Sequence, residues 1–276
     1  MKFFCRITVA LIMLSLPLSE AARAQSADKV SVAFSDPSRS GTLKVSLMSG
    51  GLKIKGYNGK EVVVEAHPRG REDSRSEARS GGMRRIVNSS SGLTVEEENN
   101  VMSVGTGFMN HTVDLTIQVP LRTSLKLKCL NDGDINVEQV EGEIEANNTN
   151  GSVTLAGVSG SAVVHALNGT VKVNLLKVEP NKAMSFSSLN GNIDVTLPAD
   201  IRASVNMRTD MGEIYSDFEI KLQESPKPVV EDARPRGGRY RVRIDKGISG
   251  TINGGGPEIQ FKNFNGNIYI RKAGAR

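Results

Sequence analysis

Residues 131–174 read NDGDINVEQVEGEIEANNTNGSVTLAGVSGSAVVHALNGTVKVN, and the fold is decided there. Gly133, Gly142, Gly151, Gly160 and Gly169 recur at intervals of nine residues. At the second and fourth positions after each glycine stands an apolar or small side chain. These pairs are Ile135 and Val137, Ile144 and Ala146, Val153 and Leu155, Ala162 and Val164, Val171 and Val173. Polar residues mostly fill the gaps. Alternation of this kind buries one face of a strand, and the glycine marks a turn that restarts it. Equal short units imply stacking, because one unit cannot bury its own apolar face.

Taking every second glycine outward gives 133, 151, 169, 191 and 212, at intervals of 18, 18, 22 and 21. One full coil is then roughly twenty residues, made of two or more strands with corners between. Asn150, Asn168, Asn190 and Asn265 each precede a glycine, which suits a left-handed corner whose amide bonds its neighbours. The expected fold class is all-β: a single-stranded parallel β-solenoid, β-helix-like and of either hand, with a less regular N-terminal β region. The rival is an antiparallel sandwich of hairpins, since Asn-Gly also closes hairpins. A hairpin ladder, however, does not require equal spacing. No apolar stripe of helical period runs through the chain.

The first part repeats the alternation less regularly, in Val30, Val32 and Phe34; Leu43, Val45 and Leu47; Leu52 and Ile54; Val62 and Val64. A clear strand, Val113 to Val119 on odd numbers, stops at Pro120, which cannot donate to a ladder. Two polar segments interrupt the pattern, 68–85 and 224–239, both rich in arginine. Aromatics are 4 % and Trp is absent, so the core must be aliphatic and thin.

The N-terminus has the parts of a secretory signal peptide. Lys2 and Arg6 precede the apolar run 7–16, and Ala22-Arg23-Ala24 is a small-x-small cleavage site. The expected organisation is a signal peptide over 1–24 and one domain over 25–276, irregular over 25–110 and repetitive over 111–272. The alternative is an uncleaved anchor, but the run is short of the ~20 residues that span a bilayer. The expected location is therefore exported, in the periplasm, at the cell surface or secreted, and not integral to the membrane. Cys5 leaves with the leader and Cys129 stays alone, so no disulfide forms within the mature chain. Cys129 continues the alternation of Leu125 and Leu127 and reads as a buried hydrophobe. The charge of +5 falls to about +3 without Lys2, Arg6, Arg23 and Glu20, too mild for nucleic-acid binding.

The order of three stretches resembles the bacterial "putative adhesin" domain family. Residues 50–66 (GGLKIKGYNGKEVVVEA) are similar to its opening strands around an aromatic-x-Gly turn, with Tyr57 as the aromatic. Residues 113–120 (VDLTIQVP) are similar to its strand ending in Val-Pro, and G-x-[IV]-x-[VL] recurs after Gly133 with Val-x-Gly between, as in 140–142 and 158–160. The resemblance implies an exported β-solenoid without an assigned activity. The two arginine-rich segments depart from it.

Chemistry is sparse. His67, His111 and His165 share no ligand spacing, and one cysteine cannot build a Cys/His zinc site. No nucleophile elbow, phosphate loop or dinucleotide fingerprint is present, so neither metal nor cofactor is expected. Asp134, Glu143, Glu145, Asp194 and Glu213 lie on or beside repeat strands. They would carry the alternative reading, a carbohydrate-active β-helix enzyme, if two stood about 5–9 Å apart. Arg71, Arg75, Arg79, Arg84 and Arg85 in the first polar segment, and Arg234, Arg236 and Arg239 in the second, are candidate anion or partner contacts; Glu72, Asp73, Glu77, Glu231 and Asp232 oppose them. The sequence reads as a non-enzymatic, adhesin-like binding or structural module of the cell envelope. Its partner would be an envelope polysaccharide, an anionic lipid or another protein.

Overall fold

The computed structural model describes residues 28–69, 91–107, 112–223, 229–232, 240–243 and 247–274, and none of these is helical. The first strands are β1 (Asp28–Ala33), β2 (Gly41–Ser49), β3 (Leu52–Tyr57), β4 (Glu61–Pro68), β5 (Leu93–Glu98), β6 (Val101–Thr106) and β7 (Val113–Pro120). The glycine repeats give β8 (Thr123–Asn131), β9 (Ile135–Glu138), β10 (Glu141–Asn150), β11 (Val153–Asn168) and β12 (Val171–Val178). Next come β13 (Met184–Asn190), β14 (Ile193–Leu197), β15 (Ala203–Met211), β16 (Ile214–Ser216) and β17 (Lys221–Leu222). β18 (Val229–Asp232) and β19 (Tyr240–Arg243) form a separate antiparallel pair. The chain closes with β20 (Ile248–Ile252), β21 (Glu258–Asn265) and β22 (Ile268–Lys272).

Pairing sorts most of these into two stacks. In one, β6, β2, β8, β10, the second half of β11, β13, β21 and β15 lie parallel in that order. In the other the order is β7, β3, β9, the first half of β11, β12, β14, β22 and β16, again parallel. The chain passes from stack to stack, so one strand of each makes a layer. β11 belongs to both stacks, with its register shifting between Leu155 and Ser159.

Inward positions fall in register. Val45, Leu127, Ala146, Val164, Phe186, Phe261 and Met207 follow one another through the first stack, all buried. Leu52, Ile135, Val153, Val171, Ile193 and Ile268 do the same in the second. Each of these except Ala146 contributes on the order of 1.5–3 kcal/mol by burial. The two large rings, Phe186 and Phe261, are neighbours and stack at 5.5 Å.

The order of layers is not the order of the chain. The last layer in sequence, β21–β22, lies between β13–β14 and β15–β16. At the other end β2–β3 lies between the later strands β6–β7 and β8–β9. The glycine series therefore continues from Gly191 to Gly266 and only then to Gly212. The sequence pattern starts the regular layers at residue 111; the structure adds β2, β3 and β6 to them. Antiparallel strands finish the ends: β4 and β1 beyond β7, β5 beyond β6, and β20 and β17 beyond β15. Changing strand direction interrupts the parallel template that an open edge would offer.

A Cβ on Gly191 would lie 2.6 Å from the carbonyl carbon of Gly169, at a φ of +147°. Gly191→Ala should therefore lower stability by about 1–3 kcal/mol in urea denaturation of residues 25–276. Ile193→Asp, which buries an unpaired charge, should prevent cooperative folding, whereas Asp194→Asn on the adjacent outward position should change stability by less than about 1 kcal/mol. Equal effects from these two would contradict the assigned facing.

Candidate functional site

The two corners differ in what they leave for a partner. At the first, where the chain leaves the first stack for the second, most polar groups bond within the corner, although the buried Oδ1 atoms of Asn148 and Asn263 have no hydrogen-bond partner among the described residues. An asparagine ladder runs along the outside: Asn150 Nδ2 donates to Asn131 Oδ1 at 2.8 Å, Asn168 to Asn150 at 3.0 Å, and Asn190 to Asn168 at 2.9 Å. On the inside, a side chain two residues before the ladder position donates to the glycine carbonyl of the preceding layer. Cys129 Sγ donates to Gly50, Asn148 to Gly133, Ser188 to Gly169, Asn263 to Gly191 and Thr209 to Gly266, all at 2.9–3.1 Å. Just after the glycine, Asp134, Asn192 and Asn267 accept the backbone N–H of the neighbouring layer. Arg69 grips Asp114 with two 2.6 Å bonds and also donates to the Asp132 carbonyl. Burial, reinforced by Asp134 and Asp132, pushes the Cys129 thiol up to about 11.

At the second corner, where the chain returns to the first stack, the connections vary in length. They are two residues at 121–122 and 139–140 and five at 179–183, 198–202 and 253–257. Gln139, at φ 56°, and Gly157, at φ 61°, take the same left-handed position in successive layers. Val140 and Val158 tuck inward beside them. Three cavities result. The first, about 440 Å³, is lined by Phe34, Arg39, Tyr57, Lys60, Leu121 and Arg122 among others. The second, about 430 Å³, lies over Gly56, Gln139, Gly157 and Ser159. The third, about 720 Å³, is walled by Lys177, Pro180, Lys182, Ile201, Arg202 and Pro257 among others. Tyr57, Asn58, Leu121 and Glu141 border both the first and the second, and Leu176 borders both the second and the third. The three cavities thus adjoin across successive layers about 4.8 Å apart, and the surface they mark is called the groove. Leu176, 61 % exposed, stands on its wall.

A family model described as Toastrack DUF4097 matches residues 21–253. The chain belongs to the Toastrack DUF4097 family. Among solved structures it is similar to a Clostridium sporogenes protein described as "a putative cell adhesion protein". Identity is 12 %, coverage is 90 % of this chain and 100 % of that one, and the TM-score is 0.41. It is also similar to "a putative adhesin" from Bacteroides fragilis at 11 % identity, covering 90 % and 98 % of the two chains, with a TM-score of 0.34. No curated protein matches it.

All eight arginines singled out in the sequence of this toastrack chain, Arg71, Arg75, Arg79, Arg84, Arg85, Arg234, Arg236 and Arg239, lie outside the described residues, as does His111. The candidate carboxylates are placed, and each is engaged by a neighbouring group. Asp134 is used by the first corner, Glu143 pairs with Lys182, and Glu145 accepts from Asn147. Asp194 pairs with Arg271 at 2.7 Å, and Glu213 accepts from Tyr215. Glu143 and Glu145 face outward from the first stack and Asp194 from the second. His67 and His165 are exposed on different strands, His165 against Ser187 at 2.8 Å. Among the described residues no three metal-ligating side chains cluster, and no helix is long and apolar enough to cross a membrane. Sequence reading missed the groove cations Arg39, Lys60, Arg122, Lys177 and Arg202. A signal existed: Arg39, Arg122 and Arg202 each stand one or two residues before the start of a strand of the first stack.

The raised Cys129 pKa sets a direction with pH. The unfolded thiol ionises near its ordinary value while the folded one stays neutral, so its stabilisation is complete below about pH 9 and lost as pH rises toward about 11. Cys129→Ser, which keeps a donor for the Gly50 carbonyl, should flatten that alkaline limb of urea stability relative to wild type. Wild-type Cys129 should resist a thiol reagent at pH 8 until the chain is unfolded.

Proposed function

We propose that this toastrack chain is an exported, non-enzymatic, adhesin-like binding module of the bacterial cell envelope, coiled as a β-solenoid. The ligand surface is the groove of the second corner. The single observation that carries this reading is the set of shared walls, Tyr57 to Glu141 and then Leu176, that join three cavities along successive layers. A groove that crosses many layers suits an extended chain, and an envelope polysaccharide is the partner of that shape. The leader over residues 1–24 supports export. The first corner contributes stiffness, because its polar groups bond one another.

Residues 25–276 applied to a glycan array should show saturable binding of at least one oligosaccharide, with no hydrolysis product after prolonged incubation. Leu176→Glu, at an exposed position on the groove wall, should weaken that binding at least tenfold without lowering the melting temperature. Product release would make the protein an enzyme instead, and undiminished binding by the variant would move the site off the groove.

A further inference from the structure

The three cavities of the groove are not equivalent, and their differences name a ligand class. In the third, Lys182 is already held by Glu143 and Glu179, and Glu179 and Asp200 offset the remaining Lys177 and Arg202. In the first, Arg39, Lys60 and Arg122 face one carboxylate, Glu141, and none of the three makes an ion pair among the described residues. Asp36 lies near Arg39, but it accepts hydrogen bonds from Ser38.

Each of these three cations is carried on a connection that is pinned by its own side-chain bond. Asn100, buried at a φ of 64°, accepts from Asp36 N at 2.7 Å and donates to the carbonyls of Asp36 and Arg39, which fixes the approach to β2. Tyr57 Oη donates to the Glu61 carbonyl at 2.7 Å and closes the turn that holds Lys60. Thr123 Oγ1 donates to the Pro120 carbonyl at 2.7 Å and closes the turn that holds Arg122. Neighbouring layers thus place three exposed cations, carried on restrained backbone, around one cavity of about 440 Å³, within the range of small-ligand sites. The Tyr57 ring, half-buried on its wall, offers an apolar surface beside them.

Resting on the groove reading above, we propose that this first cavity is an anion subsite for an acidic saccharide, one whose ring carries a carboxylate or a phosphate. Arg39, Lys60 and Arg122 hold the anionic groups, bidentately where arginine supplies the fork. Tyr57 lies against the ring. Three cations prepaid in position by pinned turns lose little freedom on binding. The cavity shares walls with its neighbour along the layers, which favours an extended oligomer over a single headgroup held in a bilayer.

The test is calorimetric titration of residues 25–276 with tetragalacturonate, a phosphorylated maltotetraose, neutral maltotetraose and phosphatidylglycerol vesicles. Either acidic oligomer should bind, more weakly as salt is raised, with maltotetraose at least tenfold weaker; the tighter of the two acids identifies carboxylate or phosphate. The triple variant Arg39→Gln, Lys60→Gln, Arg122→Gln should lose at least thirtyfold in affinity at an unchanged melting temperature. Lys128→Gln, an exposed cation of β8 outside the cavity, should bind as wild type. Acidic oligomers bound equally by wild type and triple variant, or no more tightly than maltotetraose, would overturn the subsite. If Leu176→Glu then abolishes that binding, the groove reading survives without it. Binding to vesicles alone would overturn the saccharide, and no binding to any probe would overturn both readings.

Discussion

At the first corner a glycine of each layer sits against the backbone of the layer before it, closer than any side chain allows. A Cβ on Gly266 would lie 2.8 Å from the carbonyl carbon of Gly191, and one on Gly212 would lie 2.6 Å from that of Gly266. Ordinary carbon contacts begin well beyond these distances. This approach lets strands on both sides of the corner keep hydrogen-bonding register. With register kept, inward side chains stack on their equivalents and the asparagine amides meet. The aliphatic core then accumulates layer by layer, so no single layer is stable alone.

The second corner keeps such contacts only locally, as where Gly160 packs against Gly142. Its connections differ in length and sequence from layer to layer, while the strands they join stay aligned. Short connections over the middle layers and longer ones toward one end leave concave surface between them. Charge follows the same division. Polar groups of the first corner face one another, whereas cations of the second stand at strand starts with few partners. A repeat architecture thus separates a scaffold edge from a variable edge within every layer.

The scaffold edge was legible in the sequence because its requirement is local: a glycine, an asparagine before it and alternation after it. The order of layers was not. β21 and β22 carry the same pattern as every other layer, and nothing in Ile268-Tyr269-Ile270 records that it belongs between β14 and β16. Gln139 hid a left-handed turn because its neighbour in the next layer, Gly157, is the residue that advertises one. The groove cations hid for a different reason. Arg39, Lys60 and Arg122 are far apart in the chain and meet only through stacking, whereas the conspicuous arginine runs are contiguous and drew the reading toward 68–85 and 224–239. Clustering in sequence signals composition; here, clustering in space required the coil.

The interposed layer has a mechanical consequence. Tension applied at Lys272 reaches β22, which is held by β14 on one side and β16 on the other, while β21 is held by β13 and β15. When the pull runs along β22, that strand must slide along its own axis against two parallel neighbours, so the hydrogen bonds of both its ladders are sheared together and not unzipped one at a time. The glycine at Gly266, packed between Gly191 and Gly212, adds a notch against that sliding. The C-terminal strands therefore act as a wedge driven into the stack, and a pull on them loads the whole body.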